Sequence, residues 1–141
     1  MPFSFKPTIN ARTVYDINLN ELKDLGVKLV IFDIDDTLIP RDVREPEPKV
    51  LEWLESVKKA GFQTCIMTNN NSHRAKAFPD EYSVHYSLKP TKINFRKVLA
   101  KYGVQPKETC MVGDKIYTDI LGANRMGMYS VLVEKLKDVM A

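Results

Sequence analysis

A chain of 141 residues, 44% hydrophobic, 28% charged and with a formal charge of +3, is long enough to bury one ordinary core and too short for two. That balance excludes a disordered or coiled-coil chain, no apolar stretch reaches membrane-spanning length, and +3 is too weak a charge to indicate nucleic acid as a partner. Cys65 and Cys110 stand far apart and outside any Cys-x-x-Cys pair, so neither a zinc site nor a disulfide framework is indicated; with no signal-like apolar run at the start, a cytoplasmic protein of one domain over 1–141 is expected.

Residues 1–28 read as an irregular arm followed by a short helix. Asn18 caps that helix, Glu21 stands in the capping-box position, Leu19, Leu22 and Leu25 form its apolar edge, and Gly26 ends it. Leu29 to Phe32 reads as a strand buried on both faces, running straight into Asp33-Ile34-Asp35-Asp36-Thr37-Leu38. In a chain leaving a strand, alternation aims Asp33 and Asp35 at one pocket and turns Ile34 into the core. Two carboxylates that close repel unless a cation or a proton intervenes, so the pair points to a metal, to a shared proton, or to both.

A polar loop from Pro40 leads to a helix over Pro48 to Ala60, with Val50, Leu51, Leu54 and Val57 on one face, proline in the first turn and Gly61 beyond the last. Trp53 on this helix is expected to pack. Phe62 to Met67 is a second buried strand, ending in Thr68-Asn69-Asn70-Asn71-Ser72, and Ser72 to Phe78 a short helix carrying Arg74 and Lys76. Val84 to Ser87 is a third strand, followed by Lys89-Pro90, and from Thr91 a helix places Phe95, Val98, Leu99 and Tyr102 on one side before Gly103. Thr109 to Val112 is a fourth strand ending at Gly113-Asp114, Tyr117 to Met126 a helix closed by Gly127, Met128 to Val133 a fifth strand, and 134–141 a charged tail.

Strands alternating with helices imply right-handed crossovers and a parallel sheet covered on both faces, a Rossmann-like three-layer α/β sandwich. No Gly-x-Gly-x-x-Gly follows the first strand and no Gly-Lys-Ser/Thr loop occurs, so dinucleotide and P-loop readings both fail. Ligands of such sheets bind at the carboxyl ends of the strands. There the chain places, in order, Asp33 and Asp35, Thr68 and Asn69, Lys89, and Asp114 with Asp119. Carboxylates to attack and to hold a hard cation, hydroxyl and amide donors, and a lysine for anionic oxygens together suit a phosphoryl group.

In order and content these motifs resemble those of the haloacid dehalogenase (HAD) superfamily from Leu29 to Val133, beginning with Asp33-x-Asp35-x-Thr37. The resemblance implies a catalytic core over 29–133 and a phosphomonoester hydrolase that uses Mg2+ and an aspartyl-phosphate. In it Asp33 would be the nucleophile, and Asp35 the general acid and then the base. Thr68 and Asn69 would bind the phosphoryl oxygens, Lys89 would steady the transferring group, and Arg74 is a further candidate contact to substrate. Magnesium would be held by Asp33, the backbone carbonyl of Asp35, and Asp114, with Asp119 assisting. The usual strand order would be 3-2-1-4-5, which puts the strands of Cys65 and Cys110 on either side of the central one, too far apart for a disulfide. The gaps between motifs leave no room for a large cap domain, so the site should be open.

The stretch Gly113 to Met128, with Val14-Tyr15-Asp16-Ile17 and Pro7, is similar to the YqeG-type phosphatases of subclass IIIA, a group itself similar to phosphatidylglycerophosphate phosphatases. That likeness makes a lipid phosphate monoester, a headgroup presented at a membrane surface, a candidate substrate. Asp36 stands where the group has Asn, Thr68 where it has Ser, and Lys115 where it has Gln; no catalytic group is lost. The same fold also serves two rival classes, a receiver-like module in which phosphorylated Asp33 switches a partner, and a scaffold that binds without turnover.

Overall fold

A computed structural model describes residues 6–40, 43, 45–68, 78, 84–86 and 92–136. The chain enters through strand β1 (Ile9–Ala11), where the sequence suggests only an irregular arm. β1 lies parallel to the last strand, β6 (Tyr129–Val133), with Ile9, Asn10 and Ala11 opposite Val131, Leu132 and Val133. A side-chain clasp fixes this register: Thr8 N donates to Ser130 Oγ at 3.1 Å, and Ser130 N donates to Thr8 Oγ1 at 3.0 Å. A 3-10 turn, Val14–Asp16, closed by a Thr13–Asp16 capping box, leads to α1 (Leu19–Asp24). Asn18 caps α1 as its sequence position suggests, accepting from Asn20 N and Glu21 N. Gly26, at φ +87°, then turns the chain toward the sheet.

β2 (Leu29–Phe32) is buried along its whole length and alternates between two cores. Val30 and Phe32 face α1 and α2 (Pro48–Lys59), which contribute Leu22 and then Val50, Leu54 and Val57. Trp53 packs edge-on against the rings of Phe32, at 5.5 Å, and Tyr15, at 6.0 Å. Leu29 and Ile31 face the other core, with Phe95, Val98 and Leu99 of α3 (Lys92–Tyr102) and Ala123 of α4 (Leu121–Met126). Helices therefore cover both faces, as a strand apolar on both sides requires.

β3 (Gln63–Thr68), β4 (Val84–Tyr86) and β5 (Thr109–Gly113) complete a six-stranded, all-parallel sheet in the order β1-β6-β5-β2-β3-β4. It departs from the five-strand expectation by the one strand the arm adds at the edge. From β2 the chain moves outward through β3 and β4, then returns to β5 on the other flank. The reversal makes the gap between β2 and β5 the place where a ligand crevice opens in this architecture.

The sheet register sets Cys65 beside Ile31 and Cys110 beside Val30, so the two thiols point to opposite faces. Both are free and buried, and burial pushes each up to about 12. The expected helix over Ser72 to Phe78 lies outside the described residues apart from Phe78, which is buried in the α1/α2 core. Among the described residues no helix is long and apolar enough to cross a membrane.

Candidate active site

The β2–β5 gap is where the acids collect. Asp33 N donates to Val112 O at 3.0 Å, extending the ladder one residue past β2 and holding Asp33 beside the end of β5. The chain then folds back on Ile34, whose carbonyl accepts from Thr37, Leu38 and Ile39 N at 3.0 to 3.2 Å. Closing that loop puts Asp36 at φ +60°, a left-handed conformation that Asp and Asn tolerate better than other side chains. The departure from Asn at this position is therefore conservative for the backbone. Asp36 also ties down the end of the described chain, its carbonyl accepting from Leu136 N at 3.0 Å.

Beyond β5 the helix expected from Tyr117 starts one residue earlier, and its first turn, Ile116–Ile120, is a π-helix. The wide turn carries Asp119 back over the strand end: Asp119 N and Ile120 N both donate to Lys115 O, at 2.9 and 3.2 Å. Gly113 makes room for it, because a Cβ there would overlap the Asp119 carboxylate. One oxygen from each of Asp33, Asp114 and Asp119 lies within 4.8 Å of the others, and all three residues are buried. Of the predicted acids the structure gathers these three carboxylates; Asp35, also buried, sits in the loop paired through a β-bridge with Ile39. The backbone of Thr68 ends β3, the strand beside β2, while its side chain, Asn69, Arg74 and Lys89 lie outside the described part of the structure.

Three residues make contacts to the acids that were not read from the sequence. Thr37, fully buried, donates Oγ1 to Asp114 Oδ1 at 3.3 Å. Lys115 Nζ reaches Asp33 Oδ2 at 3.4 Å and Asp114 Oδ1 at 3.3 Å, and Lys135 Nζ stands 3.5 Å from Asp114 Oδ2. Burial works to lower the Lys115 pKa, but Asp33, Asp114 and Asp119 outweigh it and the ammonium is held above its usual range. Lys115 had a signal, adjacency to Asp114; Lys135 lay past the last strand, β6, whose end the motifs do not use.

The donor set fits a hard divalent cation. It consists of carboxylate oxygens, close enough to repel and shielded from water, and the buried Asp114 Oδ2 receives no hydrogen bond from the described residues. A cleft of about 560 Å³ opens alongside, at the carboxyl ends of β1, β5 and β6, lined in part by Arg12, Asp114, Ile116, Glu134 and Lys135. Ile116 and Tyr117 stand exposed, Tyr117 by 74%.

A buried carboxylate triad at the switch point of a parallel sheet places a potential cation site where α/β enzymes bind their ligands. The family model described as HAD-hydrolase-like matches residues 87–136. The chain is 30% identical, over 92% of its length and 77% of the relative's, to the probable phosphatase YqeG of Bacillus subtilis. It is 28% identical over 92% of its length to the chloroplastic/mitochondrial phosphatidylglycerophosphate phosphatase 1 of Arabidopsis thaliana, of which it spans 41%. Its fold superposes on a HAD phosphatase from Thermococcus onnurineus with a TM-score of 0.64 at 16% identity, covering 80% of this chain and 96% of that one. The chain belongs to the HAD superfamily, among its YqeG-type phosphatases.

Proposed function

We propose that the chain is a magnesium-dependent phosphomonoesterase that works through an aspartyl-phosphate on Asp33, and that its substrate is a lipid phosphate monoester of the phosphatidylglycerophosphate kind. The observation that carries the reading is the position of Asp33. It ends the central strand at the switch point, buried, with a carboxylate oxygen within 4.8 Å of those of Asp114 and Asp119. Asp33 attacks phosphorus and the P–O bond to the leaving group breaks; Asp35 gives that oxygen its proton. Asp35 then takes a proton from the water that attacks the acyl phosphate, releasing phosphate and restoring Asp33. Thr68, Asn69 and Lys89 hold the phosphoryl oxygens, and Arg74 adds a contact to the substrate. Asp33, Asp114, Asp119 and the Asp35 carbonyl would hold magnesium, which would supply positive charge to offset that of the phosphoryl oxygens.

Two observations support a lipid substrate. The likeness to the plant phosphatase extends over 92% of this chain, and the cleft beside Asp114 is lined by Arg12, Glu134, Lys135 and the exposed Ile116, next to which in the chain stands the exposed Tyr117. Such a mouth suits an anionic headgroup carried on an apolar surface and an enzyme working from the cytoplasmic side of a membrane. The test is phosphate release by wild type and Asp33→Asn, with magnesium and with a chelator, from phosphatidylglycerophosphate in vesicles, an aryl phosphate and small sugar phosphates. Activity only in wild type with magnesium, highest on the vesicles, is expected. Equal release by Asp33→Asn would sink the mechanism, and preference for a small soluble ester would sink the lipid assignment alone.

A further inference from the structure

We propose that Lys115 is the protein's own cation at the carboxylate cluster, competing with the divalent ion for Asp33 and Asp114 and so setting how tightly that ion is held. The inference rests on reading the cluster as a cation site. Lys115 Nζ bridges two of the three clustered acids, at 3.4 Å from Asp33 Oδ2 and 3.3 Å from Asp114 Oδ1. A divalent ion that draws on Asp33 Oδ2 or Asp114 Oδ1 would use oxygens the ammonium now holds, and the two cations repel, so the ammonium at these oxygens opposes entry of the ion.

The backbone of Lys115 is pinned while its stem is free to swing. Its carbonyl accepts from Asp119 N and Ile120 N, and its own N–H donates to Asp119 Oδ2 at 3.4 Å. With the side chain 32% exposed, a displaced ammonium has solvent beside it. Lys135 differs, being 41% exposed and reaching Asp114 alone, at 3.5 Å. Ion binding is then an exchange: Lys115 leaves the acids as the ion enters. The apparent affinity is the intrinsic one multiplied by the fraction of time the ammonium is away. A neutral side chain at this position would bring no competing charge.

The test is calorimetric titration of magnesium into wild type, Lys115→Gln, Lys115→Met, Lys115→Arg and Asp114→Asn, with circular dichroism to confirm folding. Removing the charge should tighten binding roughly tenfold in both the Gln and the Met variants, whereas Arg, which keeps it, should stay within about threefold of wild type. In a chelator the two neutral variants should melt below wild type, because their acids lose a counter-charge. Tightening in Gln alone would mean that its amide oxygen had become a ligand and would overturn the proposal, as would wild-type affinity in both. In either case magnesium binding abolished by Asp114→Asn would leave the cation site standing. No binding heat in any variant would overturn both readings.

Discussion

Gly113→Ala would put one methyl group where Asp119 now folds over the end of β5. Gly113 is not at positive φ, so alanine suits the backbone and should reduce the entropy of the unfolded chain, stabilising by about 0.4–1 kcal/mol. Against that, the new Cβ would lie 2.6 Å from the Asp119 Cβ and closer still to its carboxylate. Reaching an ordinary contact of about 3.6 Å means a retreat of roughly 1 Å. Asp119 is fully buried and bonded back to Lys115, so it cannot simply rotate into water. Overpacking of this kind costs about 1–3 kcal/mol, which outweighs the entropic gain. The melting temperature should fall by several degrees, at about 4 °C per kcal/mol for a chain of this size. Because Asp119 moves out of the triad, magnesium affinity should drop, and a misplacement of about 1 Å should lower turnover by roughly 100-fold. Thermal melts in chelator and a magnesium titration read the two effects separately. A Gly113→Ala protein with wild-type melting temperature and ion affinity would refute the placement of Asp119.

Leu54→Ala removes a fully buried side chain from the α1/α2 core and should lower stability by about 2–5 kcal/mol with little change in the urea m-value. Asn18→Ala takes the cap from a helix of six residues and should cost about 1 kcal/mol, while Asn18→Asp should restore most of it in the same urea series. Asp36→Val forces a β-branched residue into the left-handed turn and should cost about 1–3 kcal/mol; Asp36→Asn should keep the turn and the melting temperature close to wild type. Cys65 and Cys110 should be silent to a thiol reagent at pH 8 in the native protein and both react in urea. Their folded pKa values are raised from 9.0 to about 12, so the neutral thiols favour folding fully below pH 9. That contribution should fade as pH rises from 9 to 12, and native-state labelling at pH 8 would contradict the burial.

The parts of the fold legible in the sequence are those whose signals are local. The apolar run ending at Asp33 marks β2, and Pro48 and Gly61 bracket α2 to within a residue of its observed limits. β1 has no such signal. Three residues make no period, and what makes them a strand is the clasp of Thr8 on Ser130, 122 positions away. The π-turn was hidden because its sequence carries the same apolar spacing as an α-helix; the extra residue per turn is set by Asp119 lying over Gly113. The triad itself was legible, since strand ends can be counted along the chain. Of the lysines, Lys115 stood next to Asp114 in the sequence, but Lys135 carried no signal, because it meets Asp114 only where β6 lies beside β5.

In the proposed mechanism Asp33 carries the phosphoryl group. Wild type and Asp35→Asn would be mixed with an aryl phosphate and magnesium, quenched in acid, reduced with borohydride and mapped by peptide mass spectrometry. An aryl leaving group needs little protonation, so phosphorylation should proceed without Asp35, whereas water attack should not. Asp33 converted to homoserine, with more of it in Asp35→Asn than in wild type, is the predicted result. Homoserine at another aspartate, or none in either protein while phosphate is released, would contradict the account.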